Sequence, residues 1–299
     1  MEFDRVLQST YGYNHPIAVP RAVAFESTKY RSYKDVFLMV NDQQRHPEFE
    51  RPPVVETVLG LRFAPLTAWT PLHLGLFWHE IRGDFPVAEI KEPIMSEPML
   101  QGSFASMPLR VWYHDAAGVY LVQLQHDRLI LNWRKTDGAS YPRYHMMRPR
   151  FLNVWERLLA FLQKEGMDVP VPTICEVTYV DHVLNTDTRE IVARGGQPFT
   201  FWIGGPTAFL KEGGTTALSM TVTMPGLGDL VTVQMNTALE LARANIVQQL
   251  QFSSLTRPAS TSTEDILAAL DRAKDLNIRA FLEFTSEQLQ ELWGKRDAE

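Results

Sequence analysis

From residue 54 onward, apolar and polar positions alternate in short runs whose period switches between strand and helix. VVETVLGLRF, Val54–Phe63, predicts a strand with Val55, Thr57, Leu59, Leu61 and Phe63 on one face and Glu56, Val58, Gly60 and Arg62 on the other. Residues 119–134, VYLVQLQHDRLILNWR, sort most cleanly. A tight turn at His126-Asp127 pairs Gln125 with Arg128, Leu124 with Leu129, and so on out to Tyr120 with Trp133. One face is then Tyr120, Val122, Leu124, Leu129, Leu131 and Trp133, and the other carries Gln123, Gln125, Arg128, Asn132 and Arg134. A slip of one residue would drive the polar set into the core, so the register is strongly specified.

Further strands are expected at 109–113, 174–183, 218–224 and 230–237, with PGLGD as the turn between the last two. Residues 245–256 read as a strand that could close the sheet, although ALELARANIVQQLQ also fits a helix. Helical spacing appears at Leu74, Phe77, Trp78, Ile81 and Phe85, after Thr70 as N-cap and Pro71 at the first position. A second stripe, Phe151, Val154, Trp155, Leu158 and Leu162, follows YPRYHMMRPR and stops at Gly166. A third helix begins near Ser262, with Ile266, Leu270, Ala273, Phe281 and Phe284 on its buried side. A short last one starts at Thr285, with Gln288 in capping-box position, and ends at Gly294. Between 184 and 217 the glycine pairs predict loops.

This order predicts an α+β fold: a large, mostly antiparallel sheet with amphipathic helices packed on one face. It divides into an extension and linker at 1–50, holding one strand-like run at 35–40, and two α+β halves at 51–185 and 186–299. Two diverged copies of one unit would give the same order.

Composition narrows the class without naming a reaction. The 299 residues are 45% apolar and 21% charged, with a net charge of −6, which suits a folded, soluble chain and argues against disorder. No run approaches the ~18 apolar residues of a membrane span, and the first residues lack a basic then apolar leader. The single cysteine, Cys175, excludes an intrachain disulfide and a cysteine zinc cluster. The expectation is a cytoplasmic protein without membrane contact. Locally, Arg128, Arg134, Lys135, Arg143, Arg148, Arg150 and Arg157 outnumber Asp127, Asp137 and Glu156, which leaves an anion-binding surface open.

The series ERPPVVETVLGLRF, HLGLFWHEIRGDFP, LVQLQHDRLILNWR, YPRY, CEVTYVDHV and FTSEQLQELWG resembles a sporadically distributed bacterial family of unknown function. Its members open with R-P-P-x-V-E and end in a helix closing with x-E-L-x-E-x-W/Y-G. The resemblance covers about residues 50–185 and 263–294. It brings no catalytic assignment. Patchy distribution implies an accessory role, such as defence, toxin neutralisation or a mobile-element system.

No familiar reactive set emerges. His73 and His79 lie six apart and do not share a helix face, so no metal site is expected. There is no G-x-S-x-G elbow or Walker A loop, and no cofactor is expected. What remains is distributed over the sheet face opposite the helices: Glu56, Arg62, Gln123, Gln125, Arg128, Asn132 and Arg134, joined by Glu176, Thr178 and His182. Thr221, Thr232, Gln234 and Gln251 would extend it. Such a face is either solvated or cups a ligand, with arginine forks for carboxylate or phosphate. Tyr141, Arg143 and Tyr144 either stack on a base or tie a hairpin end to the next helix.

The expected function is therefore a non-catalytic interaction or regulatory protein. It would hold a protein partner or small anionic ligand through Arg62, Gln123, Gln125, Arg128, Asn132, Arg134, Arg143 and Tyr144. Two alternatives stand beside it. One is an enzyme on a phosphate- or carboxylate-bearing substrate, with Glu56 or Glu176 as base, His182 as acid/base and Arg128 or Arg134 on the anion. The other is a nucleic-acid binder through residues 128–157.

Overall fold

The computed structural model describes residues 46–66, 68–94, 109–201, 217–224, 228–240 and 245–296. The strand expected at 35–40 lies outside them. Among the described residues the elements are β1 (Glu48–Phe49), β2 (Val54–Phe63), α1 (Pro71–Ile81), β3 (Val87–Lys91), β4 (Arg110–His114), β5 (Tyr120–Gln125), β6 (Arg128–Arg134), α2 (Arg143–Lys164), β7 (Pro172–Leu184), α3 (Asn185–Ala193), β8 (Ala217–Thr223), β9 (Leu230–Glu240), β10 (Asn245–Thr256), α4 (Thr263–Phe284), α5 (Glu287–Leu292) and β11 (Lys295–Arg296).

Nine strands form one antiparallel sheet in the order β3-β4-β5-β6-β2-β7-β10-β9-β8, and β1 pairs with β11 beside it. The sheet is open: β10 lies between β7 and β9 and does not close it. The hairpin register is as the alternation requires, with Gln125 opposite Arg128 and Tyr120 opposite Trp133. At the start of β2 a bulge between Val54 and Glu56 reverses the parity. Val54, not Val55, therefore joins the core.

Helices α1, α2 and α4 cover one face. The α2 stripe of Met147, Phe151, Val154, Trp155, Leu158, Phe161 and Leu162 is buried against the sheet. This helix starts well before Phe151, so most of YPRYHMMRPR belongs to it, including Pro149. An interior proline forfeits a backbone bond. Here Arg148 and Tyr144 anchor the same turns to Asp271 on α4, at 2.9 and 2.8 Å. Asn277 pins α4 to the sheet, donating to the Val177 carbonyl at 2.7 Å and accepting from the Ser254 hydroxyl at 2.6 Å.

Caps follow local chemistry. Ser262 accepts from the Asp265 amide at the start of α4. At α5 the cap is Ser286, which accepts from Leu289 N–H. Thr285 instead closes α4, where its amide reaches the Phe281 carbonyl. Helix α3 and strand β3 were not expected. NTDTREIVA is rich in cap-forming and β-branched residues, and VAEIK sits on a sheet edge between Pro86 and Pro93, so neither carries a clean period. No helix among the described residues is long and apolar enough to cross a membrane.

Candidate functional site

The expected polar residues do share the sheet face away from the helices, but from β4 to β7 that face is buried. Gln125, Arg128 and Asn132 are at most 3% exposed. They bond to each other and to neighbours. The Gln123 carbonyl accepts from Arg110 Nη1 at 3.0 Å and Trp112 Nε1 at 2.9 Å. Its amide donates to Asn132 Oδ1 at 2.9 Å, and Asn132 Nδ2 donates to Glu56 Oε1 at 2.6 Å. Burial pushes the Glu56 carboxyl up, while Arg134, 3.8 Å away, and the Asn132 bond pull it back. Lys91, Arg134 and Arg110 gather over the Trp112 ring at 4.6, 4.8 and 5.4 Å.

The remaining members are engaged likewise. Arg128 grips Asp127 with two bonds, at 3.0 and 2.8 Å. Gln125 accepts from the Ile94 amide at 2.9 Å and donates to its carbonyl at 3.1 Å. Arg62 reaches Glu176 at 3.1 Å. The space left between Gly60, Arg62, Ile94, Arg128 and Glu176 is about 30 Å³, room for about one water. Glu56 and His182 line neither this space nor the larger cavity described next. Cations of the 128–157 stretch have acidic partners too: Arg148 on Asp271, Arg157 on Asp84 at 2.6 Å, and Arg143 near Glu48 at 3.7 Å.

The larger cavity, about 340 Å³, opens on the helix side of the sheet. Its walls come from residues 46–54, the start of α2, and α4. Tyr179, Asp181 and Phe252 come from β7 and β10. Two residues from the expected binding set, Arg143 and Tyr144, line it. Arg143 holds a left-handed backbone, φ 56°, uncommon for a residue with a side chain. From there its guanidinium donates to the Phe49 carbonyl at 3.1 Å and ties the amino-terminal segment over the cavity. His46, bonded to Asp275 at 2.8 Å, fastens the same segment to α4.

Asp181 also lines the cavity, and it is not among the site residues expected from the sequence. It is 1% exposed, and among the described residues its Oδ1 has no hydrogen-bond partner. Burial alone pushes its carboxyl up to about 8, so it holds its proton at neutral pH. Tyr141 beside it is pushed up to about 12, first by burial and then by Asp181. Tyr179 is raised further, again chiefly by burial. A signal for Asp181 existed: Cys175, Val177, Tyr179, Asp181 and Val183 share the apolar parity of β7, and one of the five carries a carboxyl. Cys175 itself is buried, with its thiol pushed up to about 12 by burial, the profile of an inert core residue. No group of three metal-ligating side chains occurs among the described residues.

No protein-family model matches this chain, and no curated protein matches it in sequence.

Proposed function

We propose that this chain is a non-catalytic binding protein with a regulatory role, taking one small molecule in the cavity between α2, α4 and residues 46–54. A single observation carries the reading: a buried carboxyl, whose Oδ1 has no hydrogen-bond partner among the described residues, lines a space of about 340 Å³ walled by aromatic rings. That volume falls within the usual range for small-molecule sites, which are mostly apolar with a few placed polar groups. Arg143 and Lys274 line the cavity and, beside their own partners Phe49, Glu48 and Asp275, can meet an anionic group at another end of the ligand, so the small-anion expectation moves from the polar sheet face to the helix side. A partner docking on the polar face would find its buried side chains already bonded to one another. The proposed setting is cytoplasmic, accessory to a defence or toxin-neutralisation system.

Native mass spectrometry of the chain purified from its source cell tests this reading. A small molecule should travel with the wild type and be lost from Ile278→Trp, whose larger side chain takes up part of the cavity. Equal retention by the two proteins, or a bound protein alone, would overturn it.

A second reading, proton-transfer chemistry, has its own observation. A carboxyl at about 8 beside Tyr141 and Tyr179 suits a general acid near neutral pH. Turnover of the co-purified molecule by wild type, and not by Asp181→Asn, would replace binding with catalysis.

A further inference from the structure

We infer that the ligand presents a cationic amino group, an ammonium or amidinium, to Asp181 Oδ1 in the wall of the cavity. The inference rests on the reading of this cavity as a ligand site and names the chemistry of the ligand's buried end.

Three observations carry it. Buried polar atoms in folded proteins are paired almost without exception, so an orphan facing an open cavity is a position waiting for a donor. Four of the protein's own donors that line the cavity are engaged elsewhere: Asn277 donates to Val177, Arg143 to Phe49, Tyr144 to Asp271, and Lys274 pairs with Asp275. Finally, Tyr141, Tyr179 and Phe252 line the same cavity as the carboxyl. An aromatic enclosure attracts a cation through the ring quadrupole, whereas a ligand carbonyl would gain only one hydrogen bond.

The charged and titratable groups that line the cavity with the carboxyl are His46 and Glu48 from residues 46–54, Tyr141, Arg143, Tyr144 and His145 around the start of α2, Tyr179 from β7, and Lys274 from α4. None of them forms a hydrogen bond to Asp181 Oδ1. Because Asp181 holds its proton in the empty protein, an arriving ammonium displaces that proton to solvent and leaves an ion pair. Binding of an amine therefore releases one proton and tightens between pH 6 and 8, while the amine remains charged.

Isothermal titration with benzylamine, 4-(aminomethyl)benzoate, benzyl alcohol and toluene, in two buffers of different ionisation enthalpy, tests the inference. The two amines should bind at least tenfold tighter than benzyl alcohol, with a buffer-dependent heat equal to one proton released. Asp181→Asn should remove that advantage and the proton release while leaving toluene binding in place. If toluene and benzyl alcohol bind as well as the amines, and Ile278→Trp abolishes all of them, the amine inference fails and the cavity reading stands. If none of the probes binds, or Ile278→Trp changes nothing, the cavity reading itself fails.

Discussion

Two buried carboxyls on opposite faces of one sheet are treated in opposite ways. On the polar face Glu56 receives the Asn132 amide at 2.6 Å and has Arg134 3.8 Å away. On the helix face Asp181 is more deeply buried, and among the described residues its Oδ1 has no hydrogen-bond partner. The first arrangement is what a fold needs in order to hide polar atoms at little cost. The second leaves a destabilising group in place beside a cavity, which is the pattern expected where a site serves something other than stability. Polar content is therefore a poor guide to function here. Whether the polar atoms are already paired discriminates better.

The largest expected effect separates the two carboxyls by pH. Below about 4 the Asp181 carboxyl is protonated both folded and unfolded. Between the ordinary 3.8 and the folded value of about 8 the unfolded chain loses that proton first. The folded state then loses about 1.4 kcal/mol per pH unit relative to the unfolded one. Urea unfolding from pH 4 to 8 should show Asp181→Asn gaining on the wild type by on the order of 5 kcal/mol across the window, then levelling off. A gap that stays flat with pH would mean that the carboxyl is not isolated.

On the other face, Asn132→Ala should cost about 3 kcal/mol in the same assay, because Glu56 and Gln123 lose a shared partner in a buried setting. A loss below about 1 kcal/mol would mean that water reaches this face. Arg148→Ala cuts a two-pronged but half-exposed link to Asp271, and should lower stability by only about 1 kcal/mol. The smallest change belongs to the far end of the polar face, where Thr221 and Thr232 meet at 3.1 Å in exposed positions. Thr221→Val should shift the thermal midpoint hardly at all, within about 0.5 kcal/mol, which would mark the polar face as solvated beyond β10 and packed before it.

Much of the fold was legible because burial on one face leaves a period in the sequence. The β5–β6 register, the parity of β7 to β10, Thr70 with Pro71, and Ser262 all follow from spacing and cap chemistry. Strand β3 and helix α3 left weaker marks because little of either is buried. The site was harder to see. Alternation says which side of the sheet Gln123 and Asn132 occupy, but not whether that side meets water or other side chains. The cavity depends on bringing residues 46–54 against α2 and α4, and those contacts have no local signature. Asp181 stands out as a parity violation on β7, yet nothing local in the sequence says that a cavity lies beside it.

The two-residue pairing of β1 with β11 has a temporal consequence. It joins Glu48–Phe49 to Lys295–Arg296, and the same seam continues as Glu50 and Arg51 donate to the carbonyls of Gly294 and Trp293 at 3.1 and 3.0 Å. One wall of the cavity is thus held by residues that leave the ribosome almost the whole chain later than the wall itself. Closing so long a loop is entropically costly, and local contacts form first. The nascent chain can assemble β2 to β7 and bury its polar network while this pocket still lacks its fastening. The fastening of this wall therefore comes late, only once residues 293–296 have been made.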